Sequence, residues 1–359
     1  MKLEQCNRLR DNFLTGGRLC APASPCCVEH PWLHLSWAIS IDSMNSTIFA
    51  VGDEPYCLWE SDVGERTRDF LHGLDAEFFS YVLQAHMAAV DEKRASVAIR
   101  LALHHGTETL FSLLGAFVQA ADCPYAWIAQ CRTEDLRKVV SRIGAGDESL
   151  ITKWEKPFLG WGDVAAAVLS TCQPGTEKHK RNVTGFGKAW HALAGELQDE
   201  VVNHEYNAIK HGFRTRSGGF KLAFGRQEAE GVPAPESAMK VLGGSQFGAM
   251  FYKVEKFKGK GGRHLRSRKT SVNWSSERDI LLVQLIQLSI NNVISALKVA
   301  NGVPANECQF QTLGDDEDFM RAWSYSTGVT NMNFDFALDE NELPEVTKAD
   351  ILKKLRERK

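Results

Sequence analysis

Apolar positions recur at helical spacing through most of residues 61–211 and again through 277–300. Ser61-Asp62-Val63-Gly64-Glu65 offers capping side chains and early acidic charge. The segment that follows, to Val90, carries Phe70, Leu71, Leu74, Phe78 and Val82 near one helical face. Asp91 and Glu92 mark a break before a second long helix, RASVAIRLALHHGTETLFSLLGAFVQAA. Its face of Ile99, Leu103, Leu110, Leu113, Leu114 and Phe117 is wide enough for the central helix of a bundle. Gly106 and Gly115 each cost about 1 kcal/mol relative to alanine inside a helix, so close helix packing is expected at both. Shorter helices are expected at 133–143, 147–155 and 161–172. A long one then runs from Trp190 to His211 and closes at Gly212, after the polar, basic stretch EKHKRN. The last apolar helix, 277–300, is preceded by Ser276 with Asp279 three residues on, a capping-box spacing, and stops at Gly302-Val303-Pro304.

The period changes to alternation in three places. LHLSWAISID and STIFAVGD, separated by Ser-Met-Asn, predict a hairpin over 33–53. FRTRSGGFKLAFG predicts a second hairpin turning at Ser217-Gly218-Gly219, with Phe213, Phe220, Leu222 and Phe224 as partners. QFGAMFYKVEKF predicts a strand, and KGKGGRHLRSRK after it a basic, glycine-containing loop. An acidic run (Asp315, Asp316, Glu317, Asp318), a further acidic patch at 335–345 and a short basic helix, KADILKKLRERK, complete the chain. The expected class is mainly α with a small antiparallel β component (α+β), a helical bundle core plus β-hairpins. The expected division is a lead-in and hairpin (1–60), the bundle core (61–215), a hairpin and basic-loop insertion (216–275), a helix packing back on the core (276–302) and an acidic tail with a basic C-terminal helix (303–359).

Composition narrows the function classes without choosing one. With 43% hydrophobic and 24% charged residues the pattern is that of an ordinary globular chain. A net charge of −3 leaves any nucleic-acid affinity to local patches. The opening MKLEQCNRLRDNF is too polar for a signal peptide, and no uninterrupted apolar run reaches the roughly 18 residues of a membrane span, so a cytoplasmic location without membrane contact is expected. Nine cysteines fall at irregular spacing, five of them before residue 60. Cys20, Cys26, His30 and His34 stretch to a zinc set only with a gap wider than usual, and scattered reduced thiols are the simpler reading. No Walker A sequence is present, and Phe247 spoils a nucleophile elbow at Gly243–Gly248.

Two helices carry the titratable candidates. On the Trp190–His211 segment, Glu200, His204, Asn207 and His211 share one stripe. Trp190, Leu193 and Leu197 project on the same side, so the stripe is expected to run from core into a cleft. On the earlier helix, Arg100, His104, His105 and Glu108 lie close in sequence. The structural use of Arg100 is a pair with a carboxylate such as Glu108 or Glu200. The functional use of arginine and histidine together is phosphate binding with general acid–base catalysis.

An R-x4-H from Arg100 to His105, with a second helix ending Asn-Ala-Ile-Lys-His-Gly, resembles the HEPN superfamily of four-helix-type domains in toxin, anti-phage and RNA-processing proteins. The resemblance spans about 61–215. It implies a metal-independent ribonuclease of toxin or defence type, with Arg100, His104, His105, Asn207 and His211 as catalytic candidates. Leu101 stands where members usually carry a polar residue after the arginine, and Asn207 to His211 forms N-x3-H without an arginine.

The same residues admit a metal reading, because Glu200 with His204 and His104 with Glu108 have the i, i+4 spacing that lets two ligands share an ion. A full centre needs more carboxylates than the pattern supplies, and neither metal nor cofactor is expected. The basic segment is the clearest patch: Lys256, Lys258, Lys260, Arg263, Arg266, Arg268 and Lys269 are the expected nucleic-acid contacts, joined by Lys253 and interleaved with Phe251, Tyr252 and Phe257. RNA is thus the first expected partner. A non-enzymatic interaction protein that docks a protein partner or a second copy of itself is the alternative, and a metal-dependent helical enzyme the third.

Overall fold

The computed structural model describes residues 18–19, 46–211, 214–227, 229–256, 264–335 and 343–357. A two-residue strand β1 (Arg18–Leu19) precedes a hairpin of β2 (Ser46–Val51) and β3 (Glu54–Trp59). Helices α1 (Val63–Gly73), α2 (Phe78–Met87), α3 (Glu92–Gln119), α4 (Pro124–Gln130), α5 (Thr133–Gly144), α6 (Trp161–Val168), α7 (Glu177–Gln198) and α8 (Glu200–Lys210) follow. Strands β4 (Thr215–Ser217), β5 (Lys221–Phe224), β6 (Lys240–Gly244), β7 (Gly248–Lys256) and β8 (Leu265–Asn273) then lead to α9 (Ser276–Ala300), β9 (Gln311–Thr312), β10 (Asn331–Phe334) and α10 (Lys348–Glu357). The fold is α+β, mainly helical with small antiparallel sheets, as the patterning predicts. Two compact units form, one from residues 1–90, 98–203 and 277–325, the other from 91–97, 204–276 and 326–359.

The first unit is built on α3 and α9. Leu110, Phe111, Leu114 and Phe117 of α3 are buried, and so is almost every turn of α9 from Asp279 to Leu297. By length and apolarity α9 would cross a membrane, with mean hydropathy 1.8 over its best window, yet 83% of that window is buried inside the protein. Several of its polar side chains meet protein partners as those of a core helix do. Asn292 exchanges hydrogen bonds with the backbone of Gln311 at 2.9 and 2.7 Å, and Ser289 accepts one from Trp190 Nε1 at 2.9 Å. Both glycines of α3 sit at close approaches: a Cβ on Gly106 would lie 3.0 Å from Ile286 Cγ2, and one on Gly115 would collide with the Trp127 ring. Gln119, fully buried at the end of α3, ties three segments together. It accepts from Gly52 N at 2.9 Å and from Trp127 Nε1 at 3.2 Å, and donates to the carbonyls of Gly52 and Ile151 at 3.0 and 2.8 Å.

Several expectations are corrected. The predicted hairpin over 33–53 turns instead at Gly52–Asp53, with β2 pairing downstream to β3 from Ser46↔Trp59 to Val51↔Glu54; residues 33–45 lie outside those described. The amphipathic run 61–90 is two helices, because Gly73 and Asp75 interrupt it. Residues 147–155 are not helical. They form a strap across the C-terminus of α3, where Thr152 Oγ1, Lys153 N and Trp154 Nε1 donate at 2.9, 3.2 and 2.8 Å to the carbonyls of Val118, Val118 and Phe117, acceptors that the helix cannot satisfy itself. α4 is absent from the expected elements, although Pro124 at its first turn is a helix-start signal.

The Trp190–His211 helix is also two. The first begins well upstream on a Thr176 cap, so EKHKRN is its opening turn, and it ends at Asp199 with extended backbone (φ −66°, ψ 126°). The Asp199 carboxylate accepts from Val201 N and Val202 N at 2.7 and 3.0 Å, opening α8 as a new helix. The single helix on which Trp190, Leu193 and Leu197 were to lead to His204 and His211 is thus not formed.

Steric fit at Gly115 generates a paired prediction. Gly115→Ala should lower stability by about 1–3 kcal/mol through overpacking against Trp127, in spite of its helix propensity. Gly195→Ala, at an exposed position of α7 where an added Cβ meets nothing within 4 Å, should raise stability by about 1 kcal/mol. Denaturant midpoints of the two variants check the contrast; equal shifts of one sign would refute the close packing.

Candidate nucleic-acid interface

In the second unit β10, β8, β7 and β4 form one antiparallel sheet in that order. Directly paired residues share a face, and the register therefore fixes what each face carries. Phe251 pairs with Thr215 and Thr270, Ala249 with Val272, Lys253 with Arg268, and Glu255 with Arg266. This face is apolar and buried at Ala249, Phe251 and Val272 and ionic beyond them. Asp335 accepts from Arg266 and from Arg268 Nε, each at 2.9 Å, and Glu255 pairs with Lys253 at 2.7 Å and with Arg268 at 3.8 Å. The Arg266 hydrogen bond holds the Asp335 carboxyl below the usual range, and the Lys253 hydrogen bond does the same for Glu255, with a smaller contribution from His204 on α8.

The opposite face is different in kind. Its first row is Arg216, Met250, Ser271 and Met332, its second Tyr252, Lys269 and Phe334, and Val254 with Ser267 and Lys256 with Leu265 follow. Tyr252 is 64% exposed, Val254 59%, Leu265 60% and Phe334 49%. Arg216 and Lys256 are exposed too, and Lys269 places its ammonium 5.4 Å from the centre of the Phe334 ring. Among the described residues these strands put no carboxylate on this face.

The basic segment is accordingly reassigned. Arg266, Arg268 and Lys269 belong to a strand, not a loop, because Leu265–Asn273 pairs residue for residue with Gly248–Lys256. Alternation sends Arg266 and Arg268 to the ionic face and Lys269 and Lys256 to the open one. Lys258, Lys260, Arg263 and Phe257 lie outside the described residues. Neither Arg216 nor Phe334 is among the expected nucleic-acid contacts; the pairing brings them to the face. The expected 213–224 hairpin also dissolves: β4 joins β7 while β5 joins β6 in a separate two-stranded sheet. The switch passes through Gly219, where a Cβ would lie 2.6 Å from both Phe247 O and Asn273 Oδ1.

The helical candidates are placed as follows. Arg100 is buried in the first unit, its Nη1 2.9 Å from Asp279 Oδ1 on α9, a carboxylate partner far from it in sequence. Arg278 lies 3.9 Å from the same oxygen and pairs with Glu196, which also accepts from Trp323 Nε1 at 2.8 Å. His104 is buried one turn on. His105 is exposed, with its ring edge-on to Phe79 at 5.4 Å, and Glu108 accepts from Thr133 Oγ1 at 3.0 Å.

Asn207 and His211 belong to the second unit and are exposed on α8, whose buried side is Glu205, Ala208 and Ile209. Of the expected stripe, Glu200, Asn207 and His211 are exposed, while His204 is half-buried and close enough to Glu255 to act on its carboxyl. Arg214 folds back on the end of α8, donating to the carbonyls of His211 and Asn207 at 3.0 and 3.2 Å.

Among the described residues no group of three or more His, Cys, Asp or Glu side chains comes together in a way that would hold a metal ion. The candidate zinc residues Cys20, Cys26, His30 and His34 lie outside them. An open cleft of about 840 Å³ between the β2–β3 turn and α5 is lined by Arg132, Lys138 and Arg142 together with Asp53, Glu54 and Asp135. Its cations are paired within it, Arg142 to Asp53 at 2.6 Å and Arg132 to Asp135 at 2.8 Å. Comparison with protein-family models, with curated proteins and with solved structures finds no match.

The burial of Arg100 yields a second prediction. Asp279→Ala should destabilise the protein by about 3–5 kcal/mol, because it strips a buried guanidinium of a counter-charge held at 2.9 Å. The double replacement Arg100→Met with Asp279→Leu should recover most of the loss. Thermal unfolding of the three proteins reads this out, and a single variant as stable as the parent would show that the pair bears little.

Proposed function

We propose that this chain is an RNA-binding protein whose contact surface is the open face of the four-stranded sheet. One observation carries the reading: the sheet sorts its charges, neutralising Arg266 and Arg268 with Asp335 and Glu255 on one face while Arg216, Lys256 and Lys269 stand on the other without a carboxylate from the described strands. Cations set among exposed aromatic and apolar side chains are what a phosphate backbone with its bases meets on a protein. Cleavage of the HEPN type has less support. Arg100 would have to leave Asp279 and surface before it met a phosphate, and that exchange exposes a buried carboxylate.

A second reading, the interaction protein, draws on α10. No residue of that helix is buried, and Leu352 and Leu355 are 39% and 56% exposed on an otherwise charged helix. The sheet face is favoured because it combines charge and aromatic surface in one register.

Anisotropy titration of a labelled RNA against salt tests the proposal. Replacing Arg216, Lys256 and Lys269 together by Ser should weaken binding at least tenfold and reduce the slope of log K against log[salt] by about 2, at roughly 0.7 per phosphate contact in a single strand. Replacing Arg266 and Arg268 by Ser should change the slope by less than one contact. A parent without salt-sensitive RNA binding, or the reverse ranking of the two variants, would sink the reading.

A further inference from the structure

We infer that the RNA taken by this face is unpaired, and that Tyr252 is the ring on which a base stacks; the inference rests on the RNA-binding reading above and names its substrate class. Tyr252 stands in the second row of the face, 64% exposed, and packs against no other ring among the described residues. Val254 lies two residues further along the same strand, and Leu265 one strand over, both more than half exposed. A sheet that buries Phe251 on one side and leaves Tyr252, Val254, Leu265 and Phe334 largely exposed on the other carries apolar surface around Lys269.

The charges decide what kind of molecule covers it. Three cations and no carboxylate from the described strands frame the patch, which favours an anion with flat apolar parts over a basic or neutral protein surface. Strand and residue spacings put Arg216 about 12 Å from Lys269, and Lys269 about 14 Å from Lys256, measured between backbone positions. That run crosses the face diagonally and passes beside both rings.

A duplex does not fit this arrangement. Its bases are already stacked on each other, so it would offer phosphates to the cations and leave Tyr252, Val254 and Leu265 against a hydrated ridge. An unpaired strand turns its bases out, and each has a π-face that a tyrosine can take. Lys269 helps to choose between the two rings. Its ammonium already occupies the Phe334 ring at 5.4 Å, which leaves Tyr252 as the open platform and places a cation beside the base stacked there. The cation and the ring therefore act on different parts of one nucleotide, its phosphate and its base.

The experiment uses the full chain and one twelve-nucleotide RNA of mixed sequence, free or annealed to its complement, with single-stranded DNA of the same sequence as a third ligand. The single strand should bind at least tenfold more tightly than the duplex. Tyr252→Ala should lose tenfold to a hundredfold in affinity for the single strand with its salt slope unchanged, Tyr252→Phe should retain binding, and Tyr252→Leu should behave as the Ala variant. Tyr252 is exposed, so these variants should melt with the parent. Equal binding of single-stranded DNA would support the inference, since stacking uses base faces and not the 2′-hydroxyl. Duplex binding as tight as single-strand binding, or a Tyr252→Ala variant with parental affinity, would overturn it and leave RNA binding standing. Failure of every ligand to bind would remove both.

Discussion

The β7–β8 ladder governs the second unit, because its register decides which side chains meet and which are left open. The two strands pair without a bulge from Gly248↔Asn273 to Lys256↔Leu265. Side chains alternate with a period of two, so a slip of one residue would exchange the faces entirely. A slip of β7 would drive Tyr252 inward and leave Phe251 in water. The buried end, with Ala249, Phe251 and Val272, makes that slip costly, and the paired charges at the far end reinforce the same register. Lys253 opposite Arg268 is a like-charge pair that would destabilise the ladder by itself. Glu255 and Asp335 remove the conflict, and the hydrogen bonds they accept from Lys253 and Arg266 hold both carboxyls below the usual range.

In the helical unit the corresponding constraint is a buried charge pair. Arg100 on α3 and Asp279 at the start of α9 lie 179 residues apart in sequence and meet where both helices are out of water. Such a pair adds little net stability over an apolar substitute, but neither member can leave without exposing the other. Its continuation through Arg278, Glu196 and Trp323 links α7, α9 and the 3-10 turn at Arg321–Ser324. A sequence motif with arginine and histidine close together is therefore consistent with two opposite uses. Which one holds depends on a carboxylate far away in the chain.

That dependence explains what is legible in the sequence and what is not. Helices α3 and α9 can be read directly, since their periodicity is long and their faces wide, and the close approaches at Gly106 and Gly115 follow from glycine in a helix interior. The break at Asp199 is missed because an unbroken apolar and polar pattern outweighs a single capping residue. The strap at 151–154 is missed because it exists to satisfy carbonyls at the end of another helix, a demand invisible in the strap itself. At the candidate interface, the residue types are legible and the faces are not. Lys256, Arg266, Arg268 and Lys269 look equivalent in a run of basic residues. Only the strand assignment divides them, and only the pairing with β4 and β10 adds Arg216 and Phe334.

The division also changes how the basic segment should be understood physically. Counting positive residues treats each as an equal contributor to the field, but a cation that shares a carboxylate at 2.9 Å presents little charge to a ligand and would have to give up a hydrogen bond to engage one. Arg266 and Arg268 are of that kind, and their role is to hold the far end of the sheet in register. Lys269 follows Arg268 by one residue and Arg266 by three, yet stands on the opposite face beside the ring of Phe334. Its immediate neighbours in sequence thus stabilise the platform from behind while it stands on the front. The charge density of the sequence is split into a structural half and an exposed half. The exposed half shares its surface with Tyr252, and the proposed RNA binding rests on that combination.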